Sequence, residues 1–195
     1  LRIGLIRHGK TDWNALGRIQ GQTDIPLNNE GIRQAHALAY RLQHEAMQWD
    51  AIISSDLSRA IETAAVISKA LQIPLLPPDP RLRERFYGEI EGTTEAERLN
   101  RWGPEWKRCD CGQEGDASVR ERSLAFVEET AAANEARNIL VVTHGSLLAQ
   151  LLKAMCTELA DKPIHNLSFS IMERIDSNWN PLLHNCTLHL EQLQN

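Results

Sequence analysis

The chain has 195 residues, 42% of them hydrophobic, and a formal net charge of -5. That length and apolar content predict one compact domain over residues 1–195. Intermixed acidic and basic residues argue against a nucleic-acid binder or a polybasic membrane module, and no apolar run approaches the roughly 20 residues that span a bilayer.

Taken in chain order, Ile3 to Ile6 reads as a short buried strand, and Arg7-His8-Gly9-Lys10-Thr11-Asp12-Trp13-Asn14 follows at its carboxyl end. In open α/β sheets the ligand crevice lies beyond the carboxyl ends of the strands. Gly9 lets backbone approach an anion, and Arg7 offers a fork of donors suited to phosphate oxygens. Neighbouring cations push His8 toward its neutral, nucleophilic form. Residues 17–27 read as a loop past Gln20-Gly21 to a turn at Asp24-Ile25-Pro26. Asn28 then caps a helix whose apolar face is Ile32, Ala35, Leu38, Ala39, Leu42 and Ala46, with His36 and His44 on its solvated side.

Ala51 to Ser54 is the second predicted strand, and Leu57, Ala60, Ile61, Ala64, Ile67 and Leu71 mark a helix capped by Ser55 or Asp56. Arg59 falls in the first turn, where free amides and the helix dipole already favour an anion. Ile73 to Leu76 reads as a short strand stopped by Pro77-Pro78. The stretch from Leu82 to Gly88 is broken by charge and glycine, as functional loops tend to be, and residues 93–118 read as a partly helical flap over the site. Val119, Ser123, Phe126, Val127 and Thr130 give the next helix its inner face.

Asn138 to Thr143 is the clearest buried strand, and it ends in His144-Gly145 as the first ends in His8-Gly9. Leu147, Leu148, Leu151, Leu152 and Met155 carry a helix back over the sheet, in the strand-then-helix order of a parallel α/β layer. Leu167 to Ile175 and Leu182 to Leu190 pair as an edge hairpin, and His165, His184 and His189 receive no role. Cys109, Cys111, Cys156 and Cys186 are irregularly spaced and read as reduced thiols of a cytoplasmic protein, without a metal site. No signal-peptide pattern stands at the start.

Three strand ends therefore bring His8 with Arg7, Arg59, and His144 to one sheet edge. A phosphoryl group in transfer spreads charge over its equatorial oxygens, so fixed positive groups and an in-line nucleophile answer its needs without a metal or cofactor. The leaving alkoxide needs a proton, and Glu84 is the best-placed acid on its loop. A serine hydrolase built on Ser146 would need a Gly-x-Ser-x-Gly elbow, which the sequence lacks.

Arg7-His8-Gly9-x-Thr11-x-x-Asn14, Ser55-Asp56-Leu57-x-Arg59-Ala60-x-x-Thr63, Leu82-x-Glu84 before Gly88, and Thr143-His144-Gly145 together resemble the histidine phosphatase superfamily, also called phosphoglycerate mutase-like. The resemblance implies a three-layer α/β/α fold around a mostly parallel sheet, a phosphohistidine on His8, and Glu84 as proton donor. It also implies that Arg7, Arg59 and His144 grip the phosphoryl group while Asn14, Gln20 and Gly21 help line the pocket. Arg85, Tyr87 and Gly145 are further candidate contacts to substrate. Lys10 departs from the Glu, Gln or Ser common in relatives, and either adds charge at the rim or faces water.

The expected activity is hydrolysis of a small phosphate monoester, with a phosphoglycerate mutase as the alternative and a non-catalytic binder as the least favoured. Glu95 stands where mutases place a substrate-binding lysine and Cys111-Gly112 where an ungapped match puts their arginine pair. The longer insertion between Glu84 and His144 is also missing. Lys107 and Arg108 are the cations that a shift of the flap would bring inward as substitutes. Substrate identity and oligomeric state are left open.

Overall fold

In the computed structural model, which describes residues 1–133, 138–159 and 162–193, β1 (Arg2–Arg7) runs through the middle of a five-stranded sheet. The others are β2 (Ala51–Ser54), β3 (Asn138–Thr143), β4 (Phe169–Ile175) and β5 (Asn178–Cys186), in the order β2-β3-β1-β4-β5. β3 lies parallel to both β1 and β2, while β4 is antiparallel to β1 and β5 antiparallel to β4. The sheet is thus parallel through three strands and mixed through its C-terminal hairpin. That hairpin turns tightly at Asp176, whose φ of 54° is the left-handed conformation such turns favour.

The helices are α1 (Asp12–Ala15), α2 (Asn29–His44), α3 (Ser58–Leu71), α4 (Glu95–Trp102), α5 (Asp116–Ala133) and α6 (Gly145–Met155). Period-two alternation in β1 sends Ile3 and Leu5 to one face and Ile6 to the other. On the first face they meet Phe126 and Val127 of α5 and Leu147 and Leu151 of α6. On the second, Ile6 and Ile52 pack with Leu38 and Leu42 of α2 and Ala60 and Ile67 of α3. This is the expected three-layer sandwich. Each buried Leu, Ile or Phe contributes on the order of 1.5–3 kcal/mol, and none of these side chains is more than 2% exposed. Gly4 is required in β1, because a Cβ there would lie 2.6 Å from Leu140 and 2.8 Å from Trp49.

Several boundaries differ from the sequence reading. α2 has its Asn28 cap, with Gly31 N donating to Asn28 Oδ1 at 2.9 Å, but it ends at His44, so Ala46 lies outside it, and Ile32 is 40% exposed. Gly31 and Gln34 take the buried positions instead, because the helix packs its first turns on the polar loop after β1. α3 is not capped by Ser55 or Asp56: Leu57 is its N-cap, and Asp24 accepts both the amide and the hydroxyl of Ser58 from across the fold. Ile73 to Leu76 forms a single bridge, Leu75 to Ile52. The last strand starts earlier than Leu182, since Pro181 sits on a free edge where a missing N–H removes no ladder bond, and residues 188–193 turn into a 3-10 helix.

Candidate active site

Parallel pairing of β1 with β3 sets Arg7 opposite Thr143, so both strands release a histidine at the same edge. The rings of His8 and His144 stand 5.1 Å apart, centre to centre, tilted by 55°. The His8 main chain is fixed on both sides: its N–H donates to Thr143 O at 2.9 Å, and its carbonyl accepts from Asn166 Nδ2 at 3.1 Å. Gly9 donates to Thr63 Oγ1 at 3.1 Å, and its Cα packs so closely on α2 that a Cβ would lie 2.6 Å from Gly31 O.

His8 Nδ1 lies 2.7 Å from Gly9 O. A carbonyl only accepts, so Nδ1 carries the proton and Nε2 presents its lone pair. Burial, reinforced by Arg59 and Arg7, holds this imidazole well below its ordinary pKa. His144 is shifted the same way by burial and by Arg59, His8 and Arg7, and neither of its ring nitrogens has a partner. Both rings are neutral near pH 7.

Arg59 is fully buried and has no carboxylate in contact among the described residues. Its Nη1 donates to Thr23 O at 2.9 Å and its Nη2 to Gly21 O at 2.7 Å, while Nε has no partner. Burial lowers its pKa to about 10, which leaves it charged at neutral pH. Arg7 donates from Nη1 to Ile164 O at 2.6 Å, and its Nε is likewise unpartnered. Gly145 makes room for it, since a Cβ there would stand 3.2 Å from Arg7 Nε. Two guanidiniums with idle buried donors, beside two neutral imidazoles, form a cradle for an anion.

Glu84 enters from the loop after β2 and α3 and takes the start of α6. Its Oε2 accepts from Ser146 N at 3.0 Å, and its Oε1 from Leu147 N at 3.0 Å and Arg85 N at 2.8 Å. The free amides of a helix start are a ready site for negative charge, and here a carboxylate of the chain itself fills it.

Arg7, His8, Arg59 and Glu84 line one cavity of about 350 Å³, with His144 packed behind His8. Of the other candidates, Asn14, Gln20, Gly21, Tyr87 and Gly145 line it as well. Asn14 Oδ1 accepts from Thr11 N and Asn166 Nδ2, and Gln20 Oε1 accepts from the Thr11 hydroxyl, so both amides keep their NH2 groups for the cavity. Arg85 does not line it: its guanidinium bonds Asp116 and lies 5.9 Å from the Tyr87 ring centre. Nor does the 93–118 segment cover it. Lys10 points away to Glu30 at 3.0 Å, Arg108 pairs with Glu105, and Lys107 sits against Trp106. Glu95 is exposed and Cys111 is buried beneath Gly88, so the positions compared with the mutases do not face the cavity.

Sequence reasoning missed Arg18, Ile19, Ser146, Ala149, Pro163 and Ile164 of the lining. It also missed Glu91, whose carboxylate accepts from Gln22 N, Thr23 N, the Thr23 hydroxyl and Tyr87 N and so ties two site loops together. Among the described residues no group of three or more His, Cys, Asp or Glu side chains converges as metal ligands would, and no helix is long and apolar enough to cross a membrane.

A family model described as the histidine phosphatase superfamily (branch 1) matches residues 3–187. A metal-independent phosphoserine phosphatase from Arabidopsis thaliana is 33% identical over 187 residues, covering 91% of this chain and 78% of the relative. A probable phosphoglycerate mutase from Yersinia pestis is 35% identical, with 92% and 87% covered. A mycobacterial glucosyl-3-phosphoglycerate phosphatase solved with VO3 superposes with a TM-score of 0.84 at 29% identity, over 95% of this chain and 99% of that one.

Proposed function

We infer that this chain, which belongs to the histidine phosphatase superfamily (branch 1), hydrolyses phosphate monoesters with His8 as nucleophile and Glu84 as proton donor. The observation that carries the reading is the His8 Nδ1 contact to Gly9 O, which leaves Nε2 unprotonated within the pocket that Arg7 and Arg59 charge. Nε2 attacks phosphorus in line with the ester oxygen. The P–O bond breaks, and the departing alcohol takes the Glu84 proton. Arg7 and Arg59 hold the equatorial oxygens with the donors that have no other partner, and His144 supports them from behind.

In the second half, water attacks the phosphohistidine and yields its proton to Glu84. The P–N bond breaks, releasing inorganic phosphate and neutral His8. Throughout, Gly9 O accepts from Nδ1 and steadies the positive charge that phosphorylation places on the ring.

The relatives act, by their names, on phosphoserine and on glucosyl-3-phosphoglycerate, or interconvert phosphoglycerates. They support a small phosphorylated metabolite as the substrate class here. The free cysteines fit a reducing, cytoplasmic setting. The direct test mixes the protein with a labelled phosphomonoester and quenches in base. A base-stable, acid-labile phosphoprotein should be trapped, and His8→Ala should abolish both label and turnover. Label persisting in that variant would refute the nucleophile.

A further inference from the structure

Besides the phosphoryl-binding groups, the cavity is lined by Ile19, Ala149, Pro163 and Ile164 and by the neutral polar side chains of Asn14, Gln20, Tyr87 and Ser146. Among the described residues Arg18 is the cation that lines the cavity besides Arg7 and Arg59, and its fork is engaged before any substrate arrives. Nη1 lies 3.0 Å from Glu97 Oε2, Nη2 lies 3.4 Å from Oε1, and Nη1 also donates to Gly92 O.

Glu97 is fixed in turn. It closes the capping box of α4, accepting from Thr94 N at 2.7 Å while its own amide donates to Thr94 Oγ1. A substrate carboxylate or second phosphate placed at Arg18 would have to displace Glu97 or sit beside its negative charge. Arg85 and Arg83 are directed elsewhere, to Asp116 and Asp56. A wall of apolar and neutral polar groups with an occupied arginine disfavours a charged group.

We propose, resting on the phosphatase reading above, that the cavity selects esters whose alcohol part is uncharged, and that Glu97 is a specificity-determining residue because it holds Arg18. Removing the Glu97 charge frees the Arg18 fork for an anionic substrate. Glutamine at that position keeps the capping box, so helix α4 is preserved.

The test compares three primary-alcohol phosphates of equal chain length, ending in a methyl, a carboxylate or an ammonium: butyl phosphate, 4-phosphooxybutyrate and 4-aminobutyl phosphate. In the unmodified protein kcat/KM for butyl phosphate should exceed that for the carboxylate ester by about tenfold or more. Glu97→Gln should raise the carboxylate ester by about threefold to fivefold, the span of an exposed ion pair, and leave butyl phosphate unchanged. Ile19→Ser should lower kcat/KM for butyl phosphate more than for the charged esters. A preference for the carboxylate ester, or a ratio unmoved by Glu97→Gln, would overturn the proposal while leaving the phosphatase reading intact. No hydrolysis of any ester, 4-nitrophenyl phosphate included, would overturn both.

Discussion

Glu84 Oε2 accepts the backbone amide of Ser146 at 3.0 Å, so the proposed proton donor is seated on the first turn of the helix that follows His144. This contact holds the carboxyl at the cavity wall. The geometry predicts a leaving-group dependence for Glu84→Gln. Alkyl phosphates, whose alkoxides need a proton to depart, should lose about 10²- to 10⁴-fold in kcat, and 4-nitrophenyl phosphate much less. Equal losses for both would mean that Glu84 serves only to fasten its loop to α6.

Glu91 predicts a different signature, because it touches loops and not the phosphoryl site. Its four donors belong to Gln22, Thr23 and Tyr87, and the same loop offers Gly21 O and Thr23 O to Arg59. Glu91→Gln turns one acceptor into an NH2 group facing donors, a conflict of about 1–3 kcal/mol. Inhibition by inorganic phosphate should weaken about tenfold or more as Arg59 loses its seat, with the leaving-group dependence unchanged. If thermal stability fell and phosphate affinity did not, Glu91 would be a fold residue only.

The parts of this site that the sequence disclosed are those fixed by strand ends. His8 and His144 each follow a hydrophobic strand by one residue, and Arg59 stands in the first turn of the helix after another, so local pattern and α/β topology together placed them. Arg18, Pro163 and Ile164 carry no such pattern. They reach the cavity through contacts such as Arg18 to Glu97, 79 residues apart, and Arg7 to Ile164 O, 157 apart. Arg85 misled for the converse reason: its position beside Glu84 suggested the pocket, but Asp116, 31 residues on, turns it away. The cap of α3 was misplaced likewise, since Asp24 supplies it from a distant loop.

Stability should fall on acidification through buried histidines. The pKa values of His8 and His144 are lowered well below the ordinary value, and burial takes His189 to about 4. As pH drops below about 6.5 the unfolded chain binds protons that the native rings refuse, so the unfolded state holds more protons and stability rises with pH in this window. Each ring then removes about 1.4 kcal/mol per pH unit until its own folded pKa is reached. Denaturant midpoints measured from pH 7.5 to pH 5 should decline, and His144→Asn should flatten the slope. A midpoint constant over that range would show that these rings are not held neutral in the native state.

The last prediction separates hydrolysis from isomerisation in a family that contains both. A mutase must retain a bisphosphate after its first transfer, which requires cations beyond the phosphoryl cradle and a cover against water. Among the described lining residues Arg18 is the cation beyond that cradle, and Glu97 holds it; no residue of the 93–118 segment lines the cavity as a cover would. Lys107 and Arg108 are engaged on Trp106 and Glu105, and residues 93–118 reach the lining residues through Glu97 on Arg18 and through Thr93 O, which accepts from Ile19 N. The test charges His8 with phosphate from 4-nitrophenyl phosphate and offers 3-phosphoglycerate as a competing acceptor at millimolar concentration. Water should win: inorganic phosphate should match nitrophenol released nearly mole for mole, with little 2,3-bisphosphoglycerate or 2-phosphoglycerate formed. Transfer to 3-phosphoglycerate that outran phosphate release would place the chain among the mutases and would require Arg18 to leave Glu97 during turnover.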